Sequence, residues 1–317
     1  MKNKIRIFFA TDIHGSAVCF RKFINAADFY KAQVIILGGD LTGKALIPIF
    51  DKGTHYEAEF LGEKIVLNNE KELEKTIKRI RDMGCYTYLT AEDNWQKLKE
   101  NPNELERIFS KTVKESIKEW ISYAEKKLEN KDVICLIQPG NDDSYEIDEL
   151  LNSKIVINSN EKVIPIGENL VVLSLGYSNI TPWKCPRDIP EEELRKKIDQ
   201  LIERIDSNPE IIFNIHVPPC GTGIDEAPEL DDQMRPKVGP GGQILTKPVG
   251  STAVREAILE YQPLLSLHGH IHEAKGFAKL GRTLCINPGS EYHDGILKGV
   301  LIQITNNKIR DFIFTSG

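Results

Sequence analysis

The chain lacks most of the features that would place it in a specialised class. Its six cysteines, Cys19, Cys85, Cys135, Cys185, Cys220 and Cys285, include no CxxC pair, and several sit inside apolar runs. That usage reads as free, buried thiols in a reducing cytoplasm. No apolar run approaches the ~20 residues of a membrane-spanning helix. The opening MKNKIRIFFATDIHG carries two lysines and a short apolar run, but polar residues interrupt it too early for a secretory signal, and it reads as a first strand. Positive charge is not in excess: the formal net charge is −6, which gives no general attraction for a nucleic acid backbone. Internal repeats, low-complexity tracts and linker-like composition do not stand out. Histidine is sparse, with seven in 317 residues.

Three of those histidines crowd into LHGHIH at 267–272, directly after the apolar run PLLSL. The rest of the chain explains the setting. With 40% hydrophobic and 28% charged residues there is material for a large core. Apolar runs alternate with helical patterns. IRIFFA (5–10) and QVIILGG (33–39) read as strands, the second buried on both faces. Residues 16–31 read as a helix with Phe20, Phe23, Ile24 and Ala27 on one side. One hundred residues then separate Asp40 from Asn141, against the ~30 of an entire βαβ unit. Within them, 45–67 reads as a hairpin and 70–83 as a helix capped by Asn68 or Asn69. A longer helix starts at Asn101 and Pro102, its apolar residues recurring at three- and four-residue steps from Leu105 to Leu128. Residues 44–130 are therefore expected to form a hairpin-plus-helix insertion within a single domain covering 1–317. Strands are expected at 132–138, 162–166, 170–175 and 210–215, helices at 190–205 and 252–261, and a strand-rich end from 263 to 314. The 34 residues 217–250, rich in Pro and Gly, make a loop long enough to be functional or mobile.

Five of the apolar runs end in Asp, Asn or His. Asp12 and His14 follow FFAT, Asp40 follows VIILGG, Asn141 follows CLIQPG, His216 follows IIFNI, and His270 and His272 follow LLSLHG. In open α/β sheets, ligands collect beyond the carboxyl ends of strands. Side chains at i and i+2 of an extended chain point the same way, so Asp12 with His14, and His270 with His272, could each offer two groups to one place. Taken singly, each element has a plainer reading, since GGD and PGN are turn sequences and a lone histidine is more often a hydrogen-bonded edge residue. Their conjunction at five strand ends is what argues for a site. Two carboxylates, one amide oxygen and four imidazoles make a mixed N/O donor set that suits Mn²⁺, Fe, Zn²⁺ or Co²⁺ better than Ca²⁺ or Mg²⁺. Seven donors exceed the need of one tetrahedral ion and suit two ions sharing a bridging carboxylate.

In this order the residues resemble the calcineurin-like metallophosphoesterase family, whose signature runs DxH, GD, GN[H/D], a lone H and GHxH. Here it reads DIH (12–14), GGD (38–40), GND (140–142), His216 and GHIH (269–272). ATDIHGS and the late NPGS (287–290) are similar to its Icc-related branch of phosphoesterases. The resemblance implies a mixed α+β or α/β fold, a four-layer sandwich of two mixed sheets flanked by helices. It implies two divalent metal ions, manganese first, with iron, zinc, cobalt or nickel as alternatives. Asp12, His14, Asp40 and His272 would hold one ion, and Asp40 would bridge to a second held by Asn141, His216 and His270. The implied activity is hydrolysis of a phosphate ester by hydroxide formed from water at the metal pair, and the catalytic candidates are Asp40, Asn141, Asp142, His216 and His293. His268 is left over and should point away from the metals.

One position departs from the pattern. Many members of the family carry His after GN as a proton donor near the leaving group, whereas this chain has Asp142 followed by Asp143. An ionised aspartate cannot donate a proton, and it repels a doubly charged monoester more than a singly charged diester. A phosphodiester substrate is therefore favoured. His293, in SEYHDG, is the candidate replacement donor. The expectation is a cytoplasmic phosphodiesterase acting on a small-molecule ester, without membrane association. Residues 44–130 are the place for a subunit contact should the chain form a homo-oligomer. A low-turnover metal-binding scaffold on the same fold and a nuclease are the alternatives, and the acidic balance weighs against the nuclease.

Overall fold

The strand Val34–Leu37 has all four side chains buried, as a strand covered on both faces requires. The computed structural model, which describes residues 4–317, places it inside a six-stranded sheet. The order in that sheet is 308–316, 298–305, 4–10, 34–37, 134–137, 156–158. Strands 4–10, 34–37, 134–137 and 156–158 pair in parallel, while 298–305 and 308–316 close one edge antiparallel. The first strand begins at Lys4, and the first three residues of the signal-like opening lie outside the described residues.

A second six-stranded sheet has the order 276–280, 283–287, 265–267, 210–215, 170–175, 162–167. Its four inner strands are parallel and both outer pairs antiparallel. The sheets face each other across one apolar layer in which Phe9, Ile36 and Leu136 of the first meet Val172, Ile212 and Leu267 of the second. The opposite face of the first sheet is covered by the helices Ala17–Phe29 and Pro102–Leu128, through Phe20, Phe23, Trp120 and Ile121. The outer face of the second is covered by the helices Glu191–Ile202 and Thr252–Tyr261, through Leu194, Ile198, Val254 and Ile258. The architecture is thus a helix–sheet–sheet–helix sandwich with two mixed sheets. Just below one end, Gln138 of the first sheet donates to the Asn214 carbonyl of the second at 3.2 Å and to the Gly38 carbonyl at 3.1 Å. That bridge gives buried backbone acceptors a partner and pins the two sheets together.

The stretch 44–130 divides between two cores. Strands 46–51, 56–60, 63–67 and 86–90 form a separate four-stranded sheet, with strand 46–51 parallel to 86–90. Helix Glu70–Asp82 covers that sheet with Leu73 and Ile80. Helix Pro102–Leu128 belongs instead to the main sandwich, because its apolar stripe lies on Phe20 and Ile137. The strand at 86–90 escaped the sequence reading, which expected only a hairpin before the helices. YTYLT is short, and three of its five residues are only half-buried, so no period stands out. The Pro- and Gly-rich stretch 217–250 is not structureless either. Residues 226–228 pair antiparallel with 246–248, and single bridges continue the pairing outward at Leu230–Pro236 and Val238–Ile244. Among the described residues no helix is long and apolar enough to cross a membrane.

Candidate metal centre

The parallel strands of both sheets send their carboxyl ends to the same side, and the loops that follow them are bonded to one another. After the first strand, Asp12 N and His14 N donate to the carbonyls of Gly39 and Asp40 at 2.9 and 3.0 Å. After strand 34–37, Asp40 accepts from Asp142 N at 3.1 Å through Oδ1. After strand 265–267, Gly269 N donates to the His216 carbonyl at 2.9 Å, and His270 N donates to the Asp12 carboxylate at 3.0 Å. The late NPGS stretch anchors the same loops. Asn287 donates to the Ile271 carbonyl at 2.9 Å, and Ser290 Oγ donates to the Asp12 carbonyl at 2.6 Å.

The paired residues do not converge by strand alternation, as an extended chain would require. The strands stop at Ala10 and Leu267, before the donors begin. Asp12, His14, Asp40 and His270 sit on left-handed backbone, with φ of 52°, 35°, 50° and 68°. Such angles are uncommon outside glycine and concentrate where function requires a particular aim. Close approach accounts for two of the motif glycines. A Cβ on Gly140 would stand 2.1 Å from Asp40 Oδ1, and one on Gly269 would stand 2.2 Å from Asp12 Oδ2.

Seven of the expected residues meet here. Asp12, His14, Asp40 and His272 offer donor atoms that all lie within 4.8 Å of one another, and Asp40, His216 and His270 form a second such group. Asp40 belongs to both. Asn141 Oδ1 lies 2.9 Å from His270 Nδ1, at the second group. All these residues except His270 and His272 are fully buried. Asp142 stands at the edge, its carboxylate 3.8 Å from His14 Nδ1. His293 stands apart: its side chain is 63% exposed, its Nε2 lies 3.4 Å from Asp294, and among the described residues it reaches the centre only through the ring of Tyr292. His268 points away, its Nδ1 2.8 Å from the Ile215 carbonyl and 3.0 Å from that of Val217. Burial first of all pushes it down to about 4, so it is a neutral structural group.

The charge pattern tests whether cations fit. His216 Nδ1 faces the Gly38 carbonyl at 3.0 Å. A carbonyl only accepts, so Nδ1 carries a hydrogen, and in the neutral ring Nε2 is the nitrogen with the lone pair. That Nε2 is buried without a hydrogen-bond partner, 3.3 Å from Asp40 and 3.9 Å from Asp12. A lone pair facing two carboxylates is repulsive unless a positive charge stands between them. Burial alone would strip a second proton from His216, but the adjacent Asp40 carboxylate reverses this and holds the imidazole up at about 9. The same pairing overrides the burial of Asp40 and keeps its carboxyl well below the usual range. His14 and His272 face each other nitrogen to nitrogen at 3.0 Å, each beside one of the two aspartates. Divalent cations would supply the missing positive charge with every imidazole neutral. The donor set therefore fits a metal pair sharing Asp40.

Several residues that no motif marks hold this set in place. Asp188 accepts from Asn141 Nδ2 at 2.8 Å and so fixes which end of the amide faces the imidazoles. Asp188 is held in turn by Thr181 N and Cys185 N at 3.0 and 2.9 Å. Asp143 is buried and accepts from Leu41 N, Thr42 N and Gly140 N, tying the Asp40 loop to the Asn141 loop. The fully buried Arg187 donates to the carbonyls of Asp143 and Ser144. The partners lie 47 and 44 residues apart, and no local spacing signals them. Asp188→Ala should weaken cation binding about 10–100-fold, the usual cost of losing a group that orients a ligand. Titrating metal-free protein with Mn²⁺ checks this, and unchanged affinity would remove Asp188 from the assembly.

No protein-family profile matches the chain. An uncharacterised protein of Methanocaldococcus jannaschii is 31% identical over 159 residues, which are 50% of this chain and 63% of that relative. The match thus spans less than two thirds of the relative's length. Among solved structures, a protein of Thermus thermophilus superposes with a TM-score of 0.53 at 14% identity, over 96% of this chain and 98% of the other. At that identity the likeness concerns the fold.

Proposed function

We propose that the chain is a metallophosphoesterase that hydrolyses a phosphate ester, with phosphodiesters favoured, at a pair of divalent cations. The observation that carries this reading is the sharing of Asp40 by two overlapping donor groups. Manganese heads the candidate metals, because the donors mix imidazole with carboxylate and amide oxygen and include no thiolate. When bound, such a pair lowers the pKa of water toward neutrality and offsets charge on the phosphoryl oxygens. The protein's own part is positional. Asp40 sets the spacing of the two donor groups, Gly38 fixes the tautomer of His216, and Asp188 turns the Asn141 oxygen inward. The six unpaired cysteines support a reducing compartment such as the cytoplasm.

The preference for a diester follows from the residue after Asn141. Asp142 is paired with Lys44 at 2.5 Å, and the pair is neutral as a whole. It brings no surplus positive charge to meet the second negative charge of a monoester. With Mn²⁺ present, kcat/KM for bis(p-nitrophenyl) phosphate should exceed that for p-nitrophenyl phosphate by at least about tenfold, a difference of ~1.4 kcal/mol in the barrier. A monoester preference would reverse the substrate assignment. The competing reading, a metal-binding scaffold with little turnover, rests on Asp142 being unable to donate a proton. Failure to hydrolyse either ester with both sites filled would favour it.

A further inference from the structure

Lys44 belongs to no motif, yet it stands at the entrance to the centre. Its Nζ lies 2.5 Å from Asp142 Oδ2, with the side chain 61% exposed. That carboxylate is 3.8 Å from His14 Nδ1, and the Asp142 backbone N–H is bonded to Asp40. The ammonium is therefore one side chain removed from two of the metal donors, on the side open to solvent. The other Asp142 oxygen faces Cys185 Sγ at 3.6 Å, so the carboxylate is held from both ends. Tyr292 walls the same side, its ring 4.8 Å from that of His14.

The chemistry at this edge is incomplete without Lys44. Asp142 occupies the position after Asn141 and, when ionised, can only accept. An ammonium carries three N–H donors; its ion pair with Asp142 engages at most one of them, and at least two are left for a ligand. Phosphoester cleavage builds negative charge on the oxygen that leaves phosphorus, and a donor already aimed there needs no reorganisation. His293, the donor suggested by sequence, has no direct contact of this kind with the centre among the described residues.

We propose that Lys44, aimed by Asp142, donates a hydrogen bond to the departing ester oxygen of the substrate. The inference rests on the phosphoesterase reading of the centre. The oxygen of a water forms a new bond to phosphorus as the bond from phosphorus to the departing oxygen breaks, and the electron pair of the broken bond stays on the departing oxygen. Water supplies the proton that finally neutralises it, and Lys44 keeps its charge throughout.

The experiment compares wild type, K44M, K44Q and K44R on a series of aryl methyl phosphodiesters whose phenols differ in acidity, with Mn²⁺ saturating. For K44M and K44Q, kcat should fall by about tenfold on the p-nitrophenyl ester and by roughly 10²–10³-fold on the phenyl ester, the scale of one preorganised donor lost. KM and bound metal should stay near wild type. K44R, which retains charge and N–H groups, should recover most of the loss on the poor leaving group. A loss of equal size across the series, or one confined to KM, overturns the proposal. Because Lys44 is exposed, the neutral variants should fold, and metal content together with melting temperature verifies it. If wild type itself cleaves none of the esters with metal bound, the phosphoesterase reading fails, a result distinct from an active wild type whose K44M variant shows no leaving-group dependence.

Discussion

Wild type should bind two divalent cations per chain and Asp40→Asn at most one, and the variant should hydrolyse a phosphodiester at least about 10³-fold more slowly, the upper range for loss of one preorganised electrostatic group. The substitution is chosen for the backbone as much as for the charge. Asp40 has a φ of 50°, and asparagine is among the few residues that tolerate the left-handed region. The amide also keeps an oxygen that can accept the Asp142 N–H now bonded to Asp40 at 3.1 Å. Fold and loop geometry should survive while the shared charge is removed. Asp12 then remains as the only carboxylate in the donor groups, facing four imidazoles. Elemental analysis of dialysed protein and a diester assay read the two outcomes. A variant that retains two tightly held cations and activity within tenfold of wild type would end the claim that Asp40 is shared.

Stripping the metals with a chelator should abolish hydrolysis and lower the melting temperature, both reversed by Mn²⁺. Each site filled at a hundred times its Kd stabilises the folded chain by about 2.7 kcal/mol, hence about 5 kcal/mol for two independent sites. For a chain of this size that is roughly 7–8 °C in melting temperature. The effect should be large because the Asp12 and Asp40 carboxylates are buried side by side and lose their cationic partners when the metals leave. Without metal, the neighbouring carboxylates act against burial to raise the proton affinity of His216 and His272, which offsets part of the carboxylate charge. Asp40→Asn should show a smaller metal-dependent gain than wild type, which separates specific filling of the shared site from weak surface binding. Identical melting curves with and without millimolar Mn²⁺ would contradict both donor groups.

Much of the scaffold can be read locally. The apolar runs at 5–10, 33–39 and 210–215 became strands at 4–10, 34–37 and 210–215, since a strand buried on both faces needs an unbroken apolar run. A cap at Asn68 or Asn69 and one at Asn101 marked helix starts, and in the structure the side chains of Asn69 and Asn101, like that of Ser251, accept a backbone N–H a few residues on. The strands 86–90 and 156–158 were missed for the complementary reason. They are five and three residues long, too short for a period to emerge, and their places are set by the strands they pair with.

By itself, then, the sequence determined which residue types stand at the strand ends, and their conjunction pointed to a metal-ligand set rather than scattered turn residues. It also showed an aspartate after Asn141, where the family that the motifs resemble often carries a histidine. Only the tertiary structure decided how the set is aimed. His14 meets His272 across 258 positions and Asn141 meets His270 across 129, contacts that depend on strand order and on how two sheets stack. Left-handed turns after the strands, not strand alternation, bring the donors together. Lys44 and Asp188 acquire their partners in the same way. Hydrophobic periodicity is a local property, written within a few turns of chain, whereas a contact between distant loops depends on the whole sandwich having closed.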